Sequence, residues 1–153
     1  MKQLDAGNGE KIPMLTESLH VINRKAKVNI ELKGRNCATA VSDVVLDFTG
    51  NKGWEMDDFL ISSFDHDQLF KIRKLLPTIN IGVLFEGPAE NFETVAGDLN
   101  AWSVNMDYNF VDKQKVDEVH YAGYKIYIYT VNSQADKQRM QDIGVDGIFT
   151  DYP

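Results

Sequence analysis

The sequence predicts an α/β protein with a parallel sheet, because short β-rich runs alternate along the chain with amphipathic helical stretches. Six β-rich runs start near residues 28, 59, 79, 100, 125 and 146, with a helical stretch between each run and the next. Such alternation indicates right-handed βαβ units. The sheet could be open, as in doubly wound folds, or part of a (β/α)₈ barrel, and the spacing alone does not choose between them.

Apolar spacing and end signals define the elements of the first half of the chain. Leu15, Leu19 and Ile22 follow the i, i+4, i+7 spacing of a helix. Asp65 can cap a later helix, with Gln68 at the capping-box position three residues on. The predicted order is a helix over 15–26, a strand over 28–33, a helix over 36–48, a strand over 59–64 and a helix from Asp65 to Pro77.

Turn residues define the elements of the second half. Gly123 and Gly144 suit the left-handed position that follows a helix, and Ser133 can cap the helix that ends at Gly144. The predicted order is a strand over 79–85, a helix over 89–98, a short strand over 102–105, a helix over 112–122, a strand over 125–132, a helix over 133–144 and a strand over 145–150.

Composition excludes several classes of protein. The chain has 153 residues and a formal charge of −7, and this acidic balance argues against broad nucleic-acid binding. No apolar run approaches the roughly 18 to 20 residues of a transmembrane helix. Residues 1–7 lack the apolar core of a signal peptide, so the default compartment is the cytoplasm. The length suits one domain, but a complete (β/α)₈ barrel typically needs about 250 residues.

The segment over 28–33 is the most informative for function. Val28, Ile30 and Leu32 share one face of the predicted strand, while Asn29, Glu31 and Lys33 share the other. Parallel strands are usually apolar on both faces, so the pair of Glu31 and Lys33 is unusual. One interpretation is a ligand for a hard cation beside a phosphate-binding lysine. The alternative is an edge strand with one face in water, which spacing alone slightly favours.

Other candidates follow from the rule that function lies where parallel strands end. Four side chains at strand ends could form the wall of such a site: Phe64, Phe85, Asn105 and Tyr129. The three histidines fit surface, packing or helix-start positions better than catalytic ones: His20, His66 and His120.

Taken together, several segments resemble the glycerophosphodiester phosphodiesterase family. Tyr129 is the one visible departure in these segments, because the family usually has Trp there. The matching stretches cover 4–7 (LDAG), 12–15 (IPML), 29–33 (NIELK), 62–65 (SSFD), 129–132 (YTVN) and 144–153 (GVDGIFTDYP).

The resemblance implies an incomplete TIM-type barrel whose six strands correspond to the third to eighth of the family barrel. Residues 1–153 would form this single partial domain, with 1–14 a remnant of the family's inserted region. The implied reaction is metal-dependent hydrolysis of glycerophosphodiesters to glycerol 3-phosphate and an alcohol. Glu31 matches a ligand of the divalent cation, Mg²⁺ or Ca²⁺, and Lys33 matches the lysine near the phosphate.

The resemblance also implies a loss of function in this chain. The family's two catalytic histidines and two of its three metal carboxylates belong to the first two strands, which have no counterpart here. We therefore expect a truncated family member that is inactive or nearly so, and that binds a cation poorly. Exposed strand edges near residues 28 and 145 predict self-association. Two alternatives stay open: a non-catalytic binding or interaction module, and an unrelated open α/β domain.

Overall fold

The structure is a computed structural model that describes residues 7–153 of the chain. Within that range the parallel strands are β1 (Val28–Glu31), β2 (Phe59–Ser63), β3 (Asn80–Phe85), β4 (Ser103–Asp107), β5 (Lys125–Tyr129) and β6 (Gly147–Ile148). The α-helices are α1 (Leu15–Ile22), α2 (Ala38–Asn51), α3 (His66–Leu75), α4 (Phe92–Asp98), α5 (Lys113–Tyr121) and α6 (Gln134–Ile143), and short 3₁₀ helices cover Met56–Asp58 and Tyr108–Phe110.

The order of the strands decides between the two predicted sheet types. They lie side by side in the order in which they occur in the sequence, β1 to β6, and every neighbouring pair is parallel. A doubly wound sheet reverses its strand order at a switch point, whereas consecutive barrel strands do not. The prediction of an incomplete TIM-type barrel is confirmed, and the open doubly wound alternative is wrong.

The sheet curls into a half-barrel with a concave and a convex face. Asn29 of β1 and Phe149, just beyond β6, line the same cavity, so the two outermost strands of the sheet face each other. A second cavity near the amino ends of the strands is bordered by Val28 and Ile148. The carboxyl ends of the strands therefore meet at one mouth of the half-barrel.

The core lies between the convex face and the helices. Ile61 pairs with Ile81, and Val104 lies between Val83 and Ile126 in the sheet register. All five side chains are fully buried. Helix α3 packs on β2 and β3, and α5 packs on β5. Each such aliphatic side chain stabilises the fold by roughly 1.5–3 kcal/mol, which fixes the strand register that positions the mouth.

Several element ends differ from the prediction. Helix α1 stops at Ile22 because Asn23 adopts a left-handed φ of 46°. The last strand is limited to Gly147–Ile148. Asp65 does cap α3, since its Oδ1 accepts from the Gln68 N–H at 3.4 Å, but the Gln68 side chain does not return to the helix start. Of the predicted inserted-region remnant over 1–14, residues 1–6 lie outside the described range.

Candidate functional site

Glu31 and Lys33 lie together at the mouth of the half-barrel. Strand β1 ends at Glu31, and the alternation of its side chains sends Asn29 and Glu31 to the concave face. The Lys33 Nζ lies 3.4 Å from the Glu31 Oε2. The Lys33 side chain is 78% exposed and that of Glu31 29% exposed, so the lysine can reach a ligand in the mouth.

These two residues border a cavity of about 300 Å³, which we call the mouth cavity. The register pairs Glu31 with Ser62 on the neighbouring strand, and both face the cavity. The Ser62 hydroxyl donates to the Asn29 Oδ1 at 2.9 Å, which makes the floor polar. The wall is apolar and aromatic, and it is formed by Phe64, Leu84, Tyr129 and Phe149.

Tyr129 is held firmly in this wall. Its hydroxyl donates to the Phe85 carbonyl at 2.6 Å, and its ring meets the Phe64 ring edge-on at 5.7 Å. Burial raises the pKa of Tyr129 to about 12, and the nearby charges of Asp107, Glu86 and Glu31 add to the rise. The phenol is therefore protonated at neutral pH and acts as a hydrogen-bond donor.

The remaining predicted wall residues lie outside the mouth cavity. Phe85 is 7% exposed and packs against the His66 ring at 5.3 Å between the centroids. Asn105 is fully buried under the mouth, where its Oδ1 accepts from Ser103 at 2.9 Å. The side-chain nitrogen of Asn105 has no hydrogen-bond partner within the described residues. It packs against Gly82, and a Cβ atom added to Gly82 would lie 2.8 Å from this nitrogen.

None of the histidines within residues 7–153 borders the mouth cavity. His66 Nε2 donates to the Leu84 carbonyl at 2.9 Å, as suits its position at the start of α3. His20 packs on Phe48, and His120 hydrogen-bonds Asp146. His66 also borders a smaller cavity with Phe64, Leu84, Phe85 and Glu86, and the assignment of the histidines to non-catalytic positions stays a prediction.

The residues described do not by themselves fit a hard divalent cation. Mg²⁺ and Ca²⁺ need six or more oxygen ligands. Over residues 7–153 no group of three or more His, Cys, Asp or Glu side chains is arranged to hold a metal. Glu31 supplies one carboxylate, and Lys33 already lies beside it. A cation at the mouth would therefore need further oxygen ligands.

Sequence reasoning did not assign Asn29 and Phe149 to the site. The alternation along the strand did place Asn29 on the same face as Glu31 and Lys33, but it was not named as a site residue. Phe149 follows a strand of two residues, and only the curl of the sheet brings it opposite β1. The sequence pattern holds no signal for that curl.

Fold and site together define the class of protein: a (β/α)-barrel chain with a lysine and a carboxylate at the carboxyl ends of its strands. The chain belongs to the glycerophosphoryl diester phosphodiesterase family, whose model matches residues 2–153. No helix within the described range is long and apolar enough to cross a membrane.

Individual relatives agree with this assignment. A glycerophosphodiester phosphodiesterase of Caldanaerobacter subterraneus is 32% identical over 163 residues, which cover 100% of this chain and 66% of that protein. One of Bacillus subtilis is 26% identical and is covered to 60%. An Oleispira antarctica phosphodiesterase, solved in complex with the product sn-glycerol-3-phosphate, is 28% identical with a TM-score of 0.87, and the match covers 99% of this chain and 65% of that one. The chain thus spans about 60–66% of the length of these relatives.

Proposed function

We propose that this chain carries the Glu31 and Lys33 part of a site for glycerophosphodiester hydrolysis, and that the isolated chain is inactive or nearly so. The supporting observation is the pairing of the two side chains at 3.4 Å in the mouth cavity. Lys33 would contact a phosphate oxygen, and Glu31 would orient the ammonium group and be available to a divalent cation, Mg²⁺ or Ca²⁺.

Charge at the mouth supports a need for cations. Asp107, Glu86 and Glu31 all act on Tyr129, so three carboxylates lie near the aromatic wall. A phosphodiester is an anion, and these carboxylates repel it unless a cation offsets their charge. Lys33 supplies one positive charge in the mouth, and the family's divalent cation would supply more.

Proton transfer is the step that these residues support least. Hydrolysis of a phosphodiester needs a base to activate water and an acid to protonate the leaving alkoxide. The pKa of Tyr129 is raised to about 12 and its hydroxyl donates a hydrogen bond to the Phe85 carbonyl, so the protonated phenol is not a base near neutral pH. His20 and His120 contact other parts of the fold, and the Nε2 of His66 is hydrogen-bonded to the Leu84 carbonyl. Loss of an acid–base pair typically lowers the rate by about 10²–10⁴.

A phosphodiesterase assay on glycerophosphocholine with added Mg²⁺ or Ca²⁺ tests the proposal. We expect turnover at least about 10²-fold below that of a full-length relative. Titration with sn-glycerol 3-phosphate should show binding that Lys33→Met weakens by about 10- to 100-fold, as loss of a hydrogen bond from a charged group does, with the exposed Lys74→Met as control. Turnover equal to the relative's would contradict inactivity, and binding unaffected by Lys33→Met would contradict the assigned site. Micromolar cation affinity abolished by Glu31→Ala would show that the metal site is complete.

We further propose that the isolated chain self-associates through its free strand edges. In the described sheet, β1 pairs on one side only, with β2, and β6 pairs on one side only, with β5. Unpaired strand edges are templates for pairing with another chain. A second copy of this chain can supply such a strand, because its own β1 presents the same groups.

A further inference from the structure

The backbone on both sides of Lys33 is held by buried side chains from the next βα unit. On one side, the Leu32 carbonyl accepts from the Ser63 hydroxyl at 2.7 Å. On the other, the Gly34 carbonyl accepts from the Gln68 Nε2 at 2.6 Å. Ser63 is fully buried and Gln68 is 2% exposed. The Ser63 hydrogen bond is therefore shielded from water, while the Gln68 bond is partly buried and ends at the exposed Gly34.

Gln68 also holds the far end of the loop that follows Lys33. Its Oε1 accepts from the backbone N–H groups of Cys37 at 3.0 Å and Ala38 at 3.3 Å, where α2 begins. The Gln68 carboxamide thus joins the two ends of the loop over 34–37. Its nitrogen donates to Gly34 at one end, and its oxygen accepts from Cys37 and Ala38 at the other. Movement of either end of the loop therefore breaks a hydrogen bond to Gln68, and the bond to Ala38 is fully buried.

These contacts do not serve the helix that carries Gln68. In a capping box, the side chain three residues after the cap returns to the backbone of the cap residue. Here Asp65 caps α3, but the Gln68 side chain crosses to the β1–α2 loop instead. Gln68 thus makes no capping-box contact and instead hydrogen-bonds Gly34, which lies 34 residues earlier in the chain. Its side chain therefore stabilises the β1–α2 loop rather than the start of its own helix.

We propose that Ser63 and Gln68 are positioning residues for Lys33. They fix the backbone on either side of Lys33, and this directs its exposed side chain into the mouth cavity. This inference rests on the proposed function of Lys33 as the phosphate contact. A flexible, 78% exposed side chain has few packing contacts of its own to orient it. Preorganisation of its backbone lowers the entropy lost when it binds a ligand.

Binding of sn-glycerol 3-phosphate by titration calorimetry tests the positioning role, at a temperature where every variant is folded. We expect Gln68→Met and Ser63→Ala each to weaken binding by about three- to tenfold, the size of the entropic cost of ordering one long side chain on binding. Ser63→Thr, which keeps the hydroxyl, should restore most of the affinity. Gln138→Met, on the exposed face of α6, is the matched control and should leave binding unchanged.

A double variant separates positioning from general damage to the fold. If Gln68 acts through Lys33, adding Gln68→Met to Lys33→Met should weaken binding no further, because coupled residues are not additive. Additive losses would overturn the inference. Full affinity of Gln68→Met would also overturn it.

Amide hydrogen exchange distinguishes failure of this inference from failure of the proposed function. Gln68→Met should speed exchange at Cys37 and Ala38 by at least tenfold, while Val104 in the sheet core stays protected. If the wild-type chain binds no glycerol 3-phosphate, the proposed function is contradicted, and the exchange rates alone decide whether the loop is held. Unchanged protection at Cys37 and Ala38 would overturn the inference.

Discussion

The hydroxyl of Tyr129 donates a 2.6 Å hydrogen bond to the carbonyl oxygen of Phe85, which joins the carboxyl ends of β5 and β3. Strand β4 lies between them in the sheet, so the bond spans two strands. The aromatic wall of the mouth cavity is thereby tied to the backbone rather than left to side-chain packing.

Tyr129→Phe removes the hydroxyl and should lower the free energy of unfolding by about 0.5–1.5 kcal/mol at neutral pH. The pKa of Tyr129 is raised from 10.0 to about 12, so the folded state favours the protonated phenol. Its contribution to stability is complete below pH 10 and is lost as the pH rises through about 12. Urea unfolding of both proteins across this range should show the wild type losing its advantage. A constant difference between them up to pH 12 would contradict the assignment.

Asp146→Asn should destabilise the amino-terminal end of the half-barrel by about 1–3 kcal/mol at neutral pH, since hydrogen bonds to a charged group are lost. Asp146 accepts from His120 at 2.9 Å, from Lys125 at 3.2 Å and from the Ile126 N–H at 2.9 Å. Burial alone would raise the pKa of this carboxyl, but the hydrogen bonds from Ile126, His120 and Lys125 outweigh burial and lower it below 3.8.

The sign of the pH dependence follows from that lowered pKa. The stabilisation by Asp146 is present above about pH 3.8 and is lost as the pH falls through the lower folded-state value. Thermal unfolding at a series of pH values should therefore show Asp146→Asn and wild type converging in acid. Asp98→Asn, at an exposed position on α4, is the control and should follow the wild type at all pH values.

Arg73→Lys should lower the free energy of unfolding by about 2–3 kcal/mol, because a lysine cannot satisfy the same set of carbonyls. The Arg73 guanidinium donates to four backbone carbonyls in two loops. These belong to Pro77 at 2.7 Å, Leu99 at 2.9 Å, Ile79 at 2.9 Å and Asn100 at 3.0 Å.

Chemical denaturation measures this effect, and Lys74→Met is the matched control. Lys74 lies on the exposed side of the same helix, so its replacement should change stability by less than about 0.5 kcal/mol. An effect of Arg73→Lys as small as that of Lys74→Met would show that the four hydrogen bonds to the carbonyls contribute little to stability.

The sequence predicted what depends on local periodicity. Alternation over 28–33 correctly separated the core-facing Val28 and Ile30 from Glu31, and the repeated strand–helix pattern indicated a parallel sheet. Placing Glu31 on the concave face needed only a period of two. The barrel type followed from a family resemblance, because periodicity alone left an open sheet equally allowed.

Other features depend on contacts between distant parts of the chain, and local patterns carry no signal for them. Gln68 was predicted to complete a capping box, but its carboxamide instead bonds residues 30 to 34 positions earlier. Arg73 was only a basic residue near a helix end, although its partners include Leu99 and Asn100, 26 and 27 positions later. The hydrogen bonds of both side chains form only when distant segments pack together, so local sequence propensity does not predict them.

Asn29→Pro should abolish self-association of the isolated chain through the β1 edge. The Leu32 N–H donates to the Ser62 carbonyl on β2, and backbone groups of alternate residues point to opposite sides of a strand. The Asn29 N–H therefore points away from β2, toward any strand that pairs with the free edge. Proline removes this donor without removing a hydrogen bond between β1 and β2, as edge strands tolerate.

Sedimentation velocity over a wide concentration range measures the effect. We expect the wild-type chain to show a concentration-dependent dimer and Asn29→Pro to stay monomeric. Asn29→Ala is the matched control, because it also removes the side chain that accepts from Ser62 but keeps the backbone N–H, so it should still associate. A wild-type chain that is monomeric at every concentration would refute edge pairing, and equal association of the two variants would place the contact elsewhere on the molecule.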